Sequence, residues 1–327
     1  MIVHEALHTV AAGFHRLVPG DDFAFEEMAR SVLSYQEAHN SIYGRYCKYQ
    51  KYLPVSAFKH APVTTFPPSE SEALFESSRT GRTVPSRHYV YALEVYERSV
   101  LTHFEQVFGS GPFTLLAHLP HYAEQGSRSS LLYMVDLLMR TYGDEKSGFF
   151  LEDLSLFHQA LSSDRPQNHP FLLFGAAFGL LDLIEKDSFL LPEGARVIET
   201  GGMKTYRRAI RRAELHTRLA KGFSLPEAQV WSEYGMCELM SQCYTRGAGL
   251  FFAPPWMRFA ILDPEDPTRI CEEGEAGALA VMDLANLYSA SALLTEDLAV
   301  RRGEGFEVLG RLTDAELRGC NFLVSRS

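Results

Sequence analysis

Long hydrophobic runs, a cysteine framework and an excess of positive charge are all missing from this 327-residue chain. Its longest strongly apolar run, Pro170 to Leu181, is far short of the roughly 20 residues that cross a bilayer as a helix, so no membrane span is expected. The cysteines (Cys47, Cys237, Cys243, Cys271, Cys320) are scattered and odd in number. That pattern argues against disulfide staples and for a reducing, cytoplasmic setting. The amino terminus lacks a basic region followed by an apolar run, so no secretory signal is read. Lys and Arg total 31 against 41 Asp and Glu, a net charge of -10, which argues against general nucleic-acid binding. No internal repeat or low-complexity linker is found.

What is present suffices for a large core. Hydrophobic residues make up 46% and charged residues 22%, ordinary for a globular chain of one large domain or two. Near the start, His4-Glu5-Ala6-Leu7-His8 matches the HExxH pattern. On a helix the two histidines share a face and could hold zinc, with Glu5 as base. His15 is not at the extended metzincin spacing and no strand precedes the motif to hold a peptide, so an amphipathic helix is the preferred reading. Phe23 to Tyr52 is helical in pattern and rich in tyrosine, a packed layer.

Three later stretches carry chemistry. Phe75 to His88 (FESSRTGRTVPSRH) sets hydroxyls and a glycine where they could donate to phosphate oxygens; a polar surface loop is the alternative. Val197-Ile198 runs into Thr200-Gly201-Gly202, and Val230 to Gln242 (VWSEYGMCELMSQ) starts as an apolar strand and breaks at Gly235. Two strands that each stop at a glycine turn predict two loops on one edge of a mostly parallel sheet, beyond the carboxyl ends where such sheets bind ligands. Tyr234, Gly235 and Glu238 fit a nucleotide with its metal ion; a Tyr-Gly turn with a capping glutamate fits them too. Between these stretches, Phe171 to Ile184 has small residues at Gly175, Ala176 and Ala177, which leave room for an apolar substrate or let a helix pack closely. Tyr206 to Lys221 is a basic helical stretch. Beyond Gln242, short strands and turns predict a small antiparallel or barrel-like part.

In this order the pieces resemble the adenylate-forming enzyme superfamily, and within it the LuxE-type acyl-protein synthetases of bacterial fatty-acid reductase systems. Phe75 to His88 resembles the family's phosphate loop, which implies that Ser77, Ser78, Arg79, Thr80 and Gly81 face the triphosphate. Glu199-Thr200-Gly201-Gly202-Met203-Lys204 resembles its adenine-side loop. Ser232 to Glu238 resembles the tyrosine-glycine-x-threonine-glutamate signature, in which Tyr234 stacks on adenine beside Gly235 and Met236, and Glu238 binds magnesium. Thr295-Glu296-Asp297 resembles the motif whose aspartate holds the ribose, and Gly310-Arg311 the one whose arginine reaches the nucleotide.

The fold so implied is α/β: an adenylate-forming large domain of mixed and parallel sheets flanked by helices, with a small C-terminal β subdomain and without the mobile C-terminal domain. Residues 1–70 would form a helical layer, 71–245 the core and 246–327 a β-rich part continuous with it. The resemblance implies ATP and Mg2+, a fatty or aromatic carboxylic acid, and an acyl-accepting partner protein, either a reductase or a carrier. Cys320 is the implied acyl acceptor, and Arg318 two residues before it would lower its thiol pKa. The chemistry agrees: a carboxylate attacking the α-phosphate of ATP needs cation and hydrogen-bond donors for the developing charge. Two departures stand out. Arg79 and Arg82 occupy positions that are glycine in the family loop, costing backbone freedom, and Cys237 replaces the usual threonine. They motivate an alternative, a homologue that binds nucleotide or partner without catalysis.

Overall fold

A parallel strand covered on both faces reads as an unbroken apolar run, and Phe171–Ala176 (FLLFGA) is one, with Phe171 to Phe174 at most 1% exposed. The computed structural model describes residues 2–78, 84–122, 128–151, 153–162, 168–186, 189–201, 210–246 and 249–312, with the side chains of 2–6 and 8 outside that description. Contacts divide the chain into two units. One comprises Leu101–Gly235 with Cys243–Phe252; the other comprises Met1–Val100, Met236–Gln242 and the chain from Ala253 on.

The first unit is built on parallel strands. In spatial order these are Gly148–Phe149, Thr114–His118, Phe171–Ala176, Arg196–Thr200 and Val230–Tyr234, followed by the antiparallel Cys243–Thr245 and Phe251–Phe252. Helices Ala177–Lys186 and Arg212–Gly222 bring Leu180, Leu183, Leu215 and Leu219 to the strand residues Leu173, Val197 and Val230 in one core. Each such leucine contributes about 2 kcal/mol by leaving water, and Leu219→Ala would cost roughly 2–5 kcal/mol through the cavity left behind. Helix Ser130–Tyr142 starts where the Ser129 hydroxyl accepts the Leu132 N–H at 3.3 Å, satisfying a donor the helix itself cannot. Gly175 answers one of the open alternatives. A Cβ there would lie 2.6 Å from the Leu180 side chain, so close helix packing accounts for the small residue.

The second unit is antiparallel. Strands Met257–Leu262, Ala276–Asp283, Ala292–Arg302 and Gly305–Arg311 pair in succession, and Leu53–Pro54 adds in parallel beside Leu293 and Leu294. A separate hairpin pairs Ala73–Glu76 with Arg87–Val90. Helix Asp22–His39 is tied to this unit by the buried Gln36. Its amide donates to the Asn286 and Leu287 carbonyls at 2.7 and 3.0 Å and accepts the Ser291 N–H at 2.9 Å. This mixed α/β architecture is the one the sequence predicts. Among the described residues no helix is long and apolar enough to cross a membrane.

Candidate active site

Strands Arg196–Thr200 and Val230–Tyr234 are adjacent and parallel, with Glu199 opposite Ser232 and Thr200 opposite Glu233. Both predicted glycine turns therefore leave from one edge of the parallel unit. Gly201 follows at φ +92°, in the left-handed region that glycine enters without a Cβ penalty. Tyr234 closes its strand with a side chain 9% exposed, and the chain leaves this unit at Gly235. Gly202 and Met203 lie outside the described residues.

Two acids the sequence reading left unassigned sit under these turns. Glu233 accepts a hydrogen bond from the Thr200 hydroxyl. Burial, with a smaller push from the charge of Glu199, raises its carboxyl to about 7 despite that bond. Glu199 accepts from the Ser232 hydroxyl and has Arg212 Nε at 3.4 Å and His216 Nε2 at 3.7 Å. The available signal was a carboxylate inside each strand, on positions that would otherwise be apolar.

In the antiparallel unit the segment Met236–Gln242 opens with a turn, Leu239 N–H donating to the Met236 carbonyl at 3.1 Å. Glu238 follows two residues after Met236 and is 6% exposed. Three groups the sequence did not single out fix this segment. Asn286 Nδ2 donates to the Glu238 carbonyl at 2.8 Å. His88, which burial holds in its neutral form with a pKa of about 4, has Nδ1 2.8 Å from the Cys237 carbonyl and Nε2 3.0 Å from the Ser289 hydroxyl. Asp283 accepts from the Met240 N–H at 3.0 Å and the Ser241 hydroxyl at 2.7 Å. The Cys237 thiol donates to Glu238 Oε2 at 3.3 Å. Burial first, then the adjacent carboxylate, pushes that thiol far above its usual range, so it is an inert packing group.

Ser77 sits at the foot of the predicted phosphate loop, where its hydroxyl accepts the Ser86 N–H at 2.9 Å. The hydroxyl proton is not used in that bond. Ser78 is exposed, and Arg79, Thr80, Gly81 and Arg82 lie outside the described residues, as do Arg318 and Cys320. Asp297 and Arg311, predicted separately, are brought together as partners across two strands, with Nε 3.0 Å from Oδ1. Arg311 also reaches Glu296 at 3.2 Å, and Lys59 meets Glu296 at 3.0 Å. His4, Glu5 and His8 lie on helix Ile2–Gly13, their side chains outside the description. Among the described residues, no three His, Cys, Asp or Glu gather as metal ligands.

Magnesium takes one or two carboxylates and fills its remaining positions with water and substrate phosphates, and Glu238 offers one buried carboxylate. Among the described residues Glu238 has the Cys237 thiol and no cation. In the same unit, Ser86 Oγ and Asn286 Oδ1 are buried oxygens without a hydrogen-bond partner.

The parallel sheet with its glycine turns, followed by an antiparallel part, defines the chain as having the fold of the adenylate-forming enzymes. It belongs to the LuxE acyl-protein synthetase family, whose model (Acyl-protein synthetase, LuxE) matches residues 146–327, more than half the chain. No curated protein matches it. Among solved structures it is similar to ATP-bound MatB from Rhodopseudomonas palustris at TM-score 0.54 and 17% identity, over 76% of this chain and 49% of that one. A 2-hydroxyisobutyryl-CoA ligase in complex with 2-HIB-AMP and CoA gives TM-score 0.64 at 14% identity, over 91% and 70% of the two chains. McyG A-PCP with phenylalanyl-adenylate gives 0.53 at 14%, over 75% and 48%. The chain thus spans about half the length of MatB.

Proposed function

We propose that this protein uses ATP to adenylate a carboxylic acid, fatty or aromatic, and passes the acyl group to a thiol. Family membership over residues 146–327 is the observation that carries the reading. A fold shared with ligases that hold ATP or an acyl-AMP supports it. In the first step a carboxylate oxygen bonds to the α-phosphorus and pyrophosphate leaves. In the second, a thiolate attacks the acyl carbon and AMP leaves.

Tyr234 would stack on the base, beside Gly201, Gly202, Met203, Gly235 and Met236. Asp297 would accept the ribose hydroxyls, which frees Arg311 to reach the nucleotide. Ser77, Ser78, Arg79, Thr80 and Gly81 would donate to the triphosphate. Glu238 would hold magnesium, which supplies positive charge against the phosphate oxygens. Cys320 would accept the acyl group and hand it to a reductase or carrier protein.

Pyrophosphate exchange across a panel of carboxylic acids tests the first step: exchange with at least one acid is expected. Exchange with none favours the second reading, nucleotide or partner binding without turnover, which Arg79 and Arg82 at loop-glycine positions motivate. For the second step, labelled acyl group should stay on the intact protein and vanish in Cys320→Ala.

A further inference from the structure

Tyr234 rests on another ring. Phe251, fully buried, has its centroid 5.6 Å from that of Tyr234, the planes at 56°. Over Phe251 lies the Arg212 guanidinium, its carbon 4.7 Å from the ring centroid. Arg212 is anchored in turn. Its Nε is 3.4 Å from Glu199 Oε1, the same oxygen that accepts from the Ser232 hydroxyl. The Glu199 side chain is 3% exposed and that of Arg212 21%. A guanidinium over an aromatic face is attracted by the ring quadrupole, more strongly where water is excluded. All of these residues belong to the parallel unit.

We propose that Arg212 is a positioning residue for the nucleobase. Held by Glu199, it fixes Phe251, and Phe251 fixes the Tyr234 ring in the orientation on which a purine stacks. The inference rests on Tyr234 taking the base of ATP, as set out above, and adds the device that makes that ring a rigid platform. A free ring would have to be ordered at each binding event, which weakens affinity. The device acts at the base end of the nucleotide, so it must affect AMP and ATP by the same factor.

The test is calorimetric titration of the full chain with AMP and with ATP, for wild type, Arg212→Met, Arg212→Lys and Phe251→Leu, with melting temperatures as the check on folding. Arg212→Met is expected to weaken both nucleotides about tenfold and to raise KM for ATP while kcat in pyrophosphate exchange changes little. Arg212→Lys recovers part of the loss, because an ammonium keeps the attraction to the ring without the guanidinium's reach to Glu199. Should Arg212→Met fail to fold, Arg212→Lys and Phe251→Leu make the same comparison. Wild-type affinity in the variants overturns the inference. So does weakened ATP with unchanged AMP, which would assign Arg212 to the phosphates. Wild type binding neither nucleotide sinks the adenylate-forming reading, and this inference with it; wild type binding both while the variants match it sinks this inference alone.

Discussion

Glu199 in the parallel unit and Asp297 in the antiparallel unit each have a guanidinium beside them, Arg212 at 3.4 Å and Arg311 at 3.0 Å. Glu233 and Glu238, one in each unit, have no cation among the described residues, and both are buried. A carboxylate taken out of water without a cation is costly, and the two meet that cost differently. Glu233 can hold a proton, since burial raises it to about 7. Glu238 is held in a turn by Asn286 and Asp283, with a thiol as its partner, and on the proposed function the missing charge arrives with the substrate as magnesium. On that reading Glu233 is part of the fold and Glu238 is kept for chemistry.

Substituting Glu238 gives the largest expected effect and tests that contrast directly. Glu238→Gln keeps the shape and removes the charge. Pyrophosphate exchange should fall about a thousandfold, the scale of losing a preorganised electrostatic contact. The melting temperature should hold, because the amide keeps the side chain's shape and still offers an oxygen to the Cys237 thiol. Activity and stability falling together would mark Glu238 as structural and erase the difference from Glu233.

The pH dependence of stability sharpens the comparison, because Glu233 in one unit and His88 in the other work in opposite senses. Glu233 has its folded pKa raised from 4.5 to about 7. The folded chain binds the extra proton within that window, so stability falls as pH rises through it, by about 3 kcal/mol. His88 in the antiparallel unit has its folded pKa lowered from 6.5 to about 4. There the unfolded chain binds the extra proton, so stability falls as pH drops through that window, again by about 3 kcal/mol. Glu233→Gln should raise the melting temperature at pH 8 and flatten the alkaline limb. His88→Gln should flatten the acid limb while lowering stability at pH 8, since the bonds to Cys237 and Ser289 are disturbed. Asp283, raised to about 6 by burial, and His103, lowered to about 4 by burial, add to the same limbs, so each single variant removes part of its limb. Thermal melts from pH 4 to 8 decide it.

Much of this arrangement is legible in the sequence. Two strands ending at Gly201 and Gly235 read as one sheet edge because β-branched runs and glycine stops are local signals, and the strands are adjacent and parallel. Asp297 and Arg311 each stand in a short motif, and their pairing follows from register. Glu199, Glu233, His88 and Asp283 carry no such local signal. Their roles depend on burial and on partners such as His216, 17 residues along the chain from Glu199, or Ser289, far from His88. Neither spacing nor composition encodes such pairings. The grouping of the first hundred residues with the chain beyond Ala253 likewise rests on contacts such as Gln36 to Asn286, which no local pattern announces.

Arg311 marks the small end of the scale. Its guanidinium bridges Asp297 and Glu296, yet its side chain is 42% exposed. Solvent screens such a pair, so Arg311→Lys should cost no more than about 1 kcal/mol of stability, shrinking with added salt. Its affinity for ATP should fall further than that, because lysine cannot reproduce a planar fork that satisfies a carboxylate and still reaches a nucleotide oxygen. Asp297→Asn separates the two roles. It breaks the charge match with Arg311 while keeping an acceptor for ribose hydroxyls, so the expected outcome is a loss of ATP affinity smaller than that of Arg311→Lys. Equal losses of stability and affinity in both variants would mean that the pair merely staples its two strands, and the contrast between matched and unmatched acids would then carry no functional meaning in this unit.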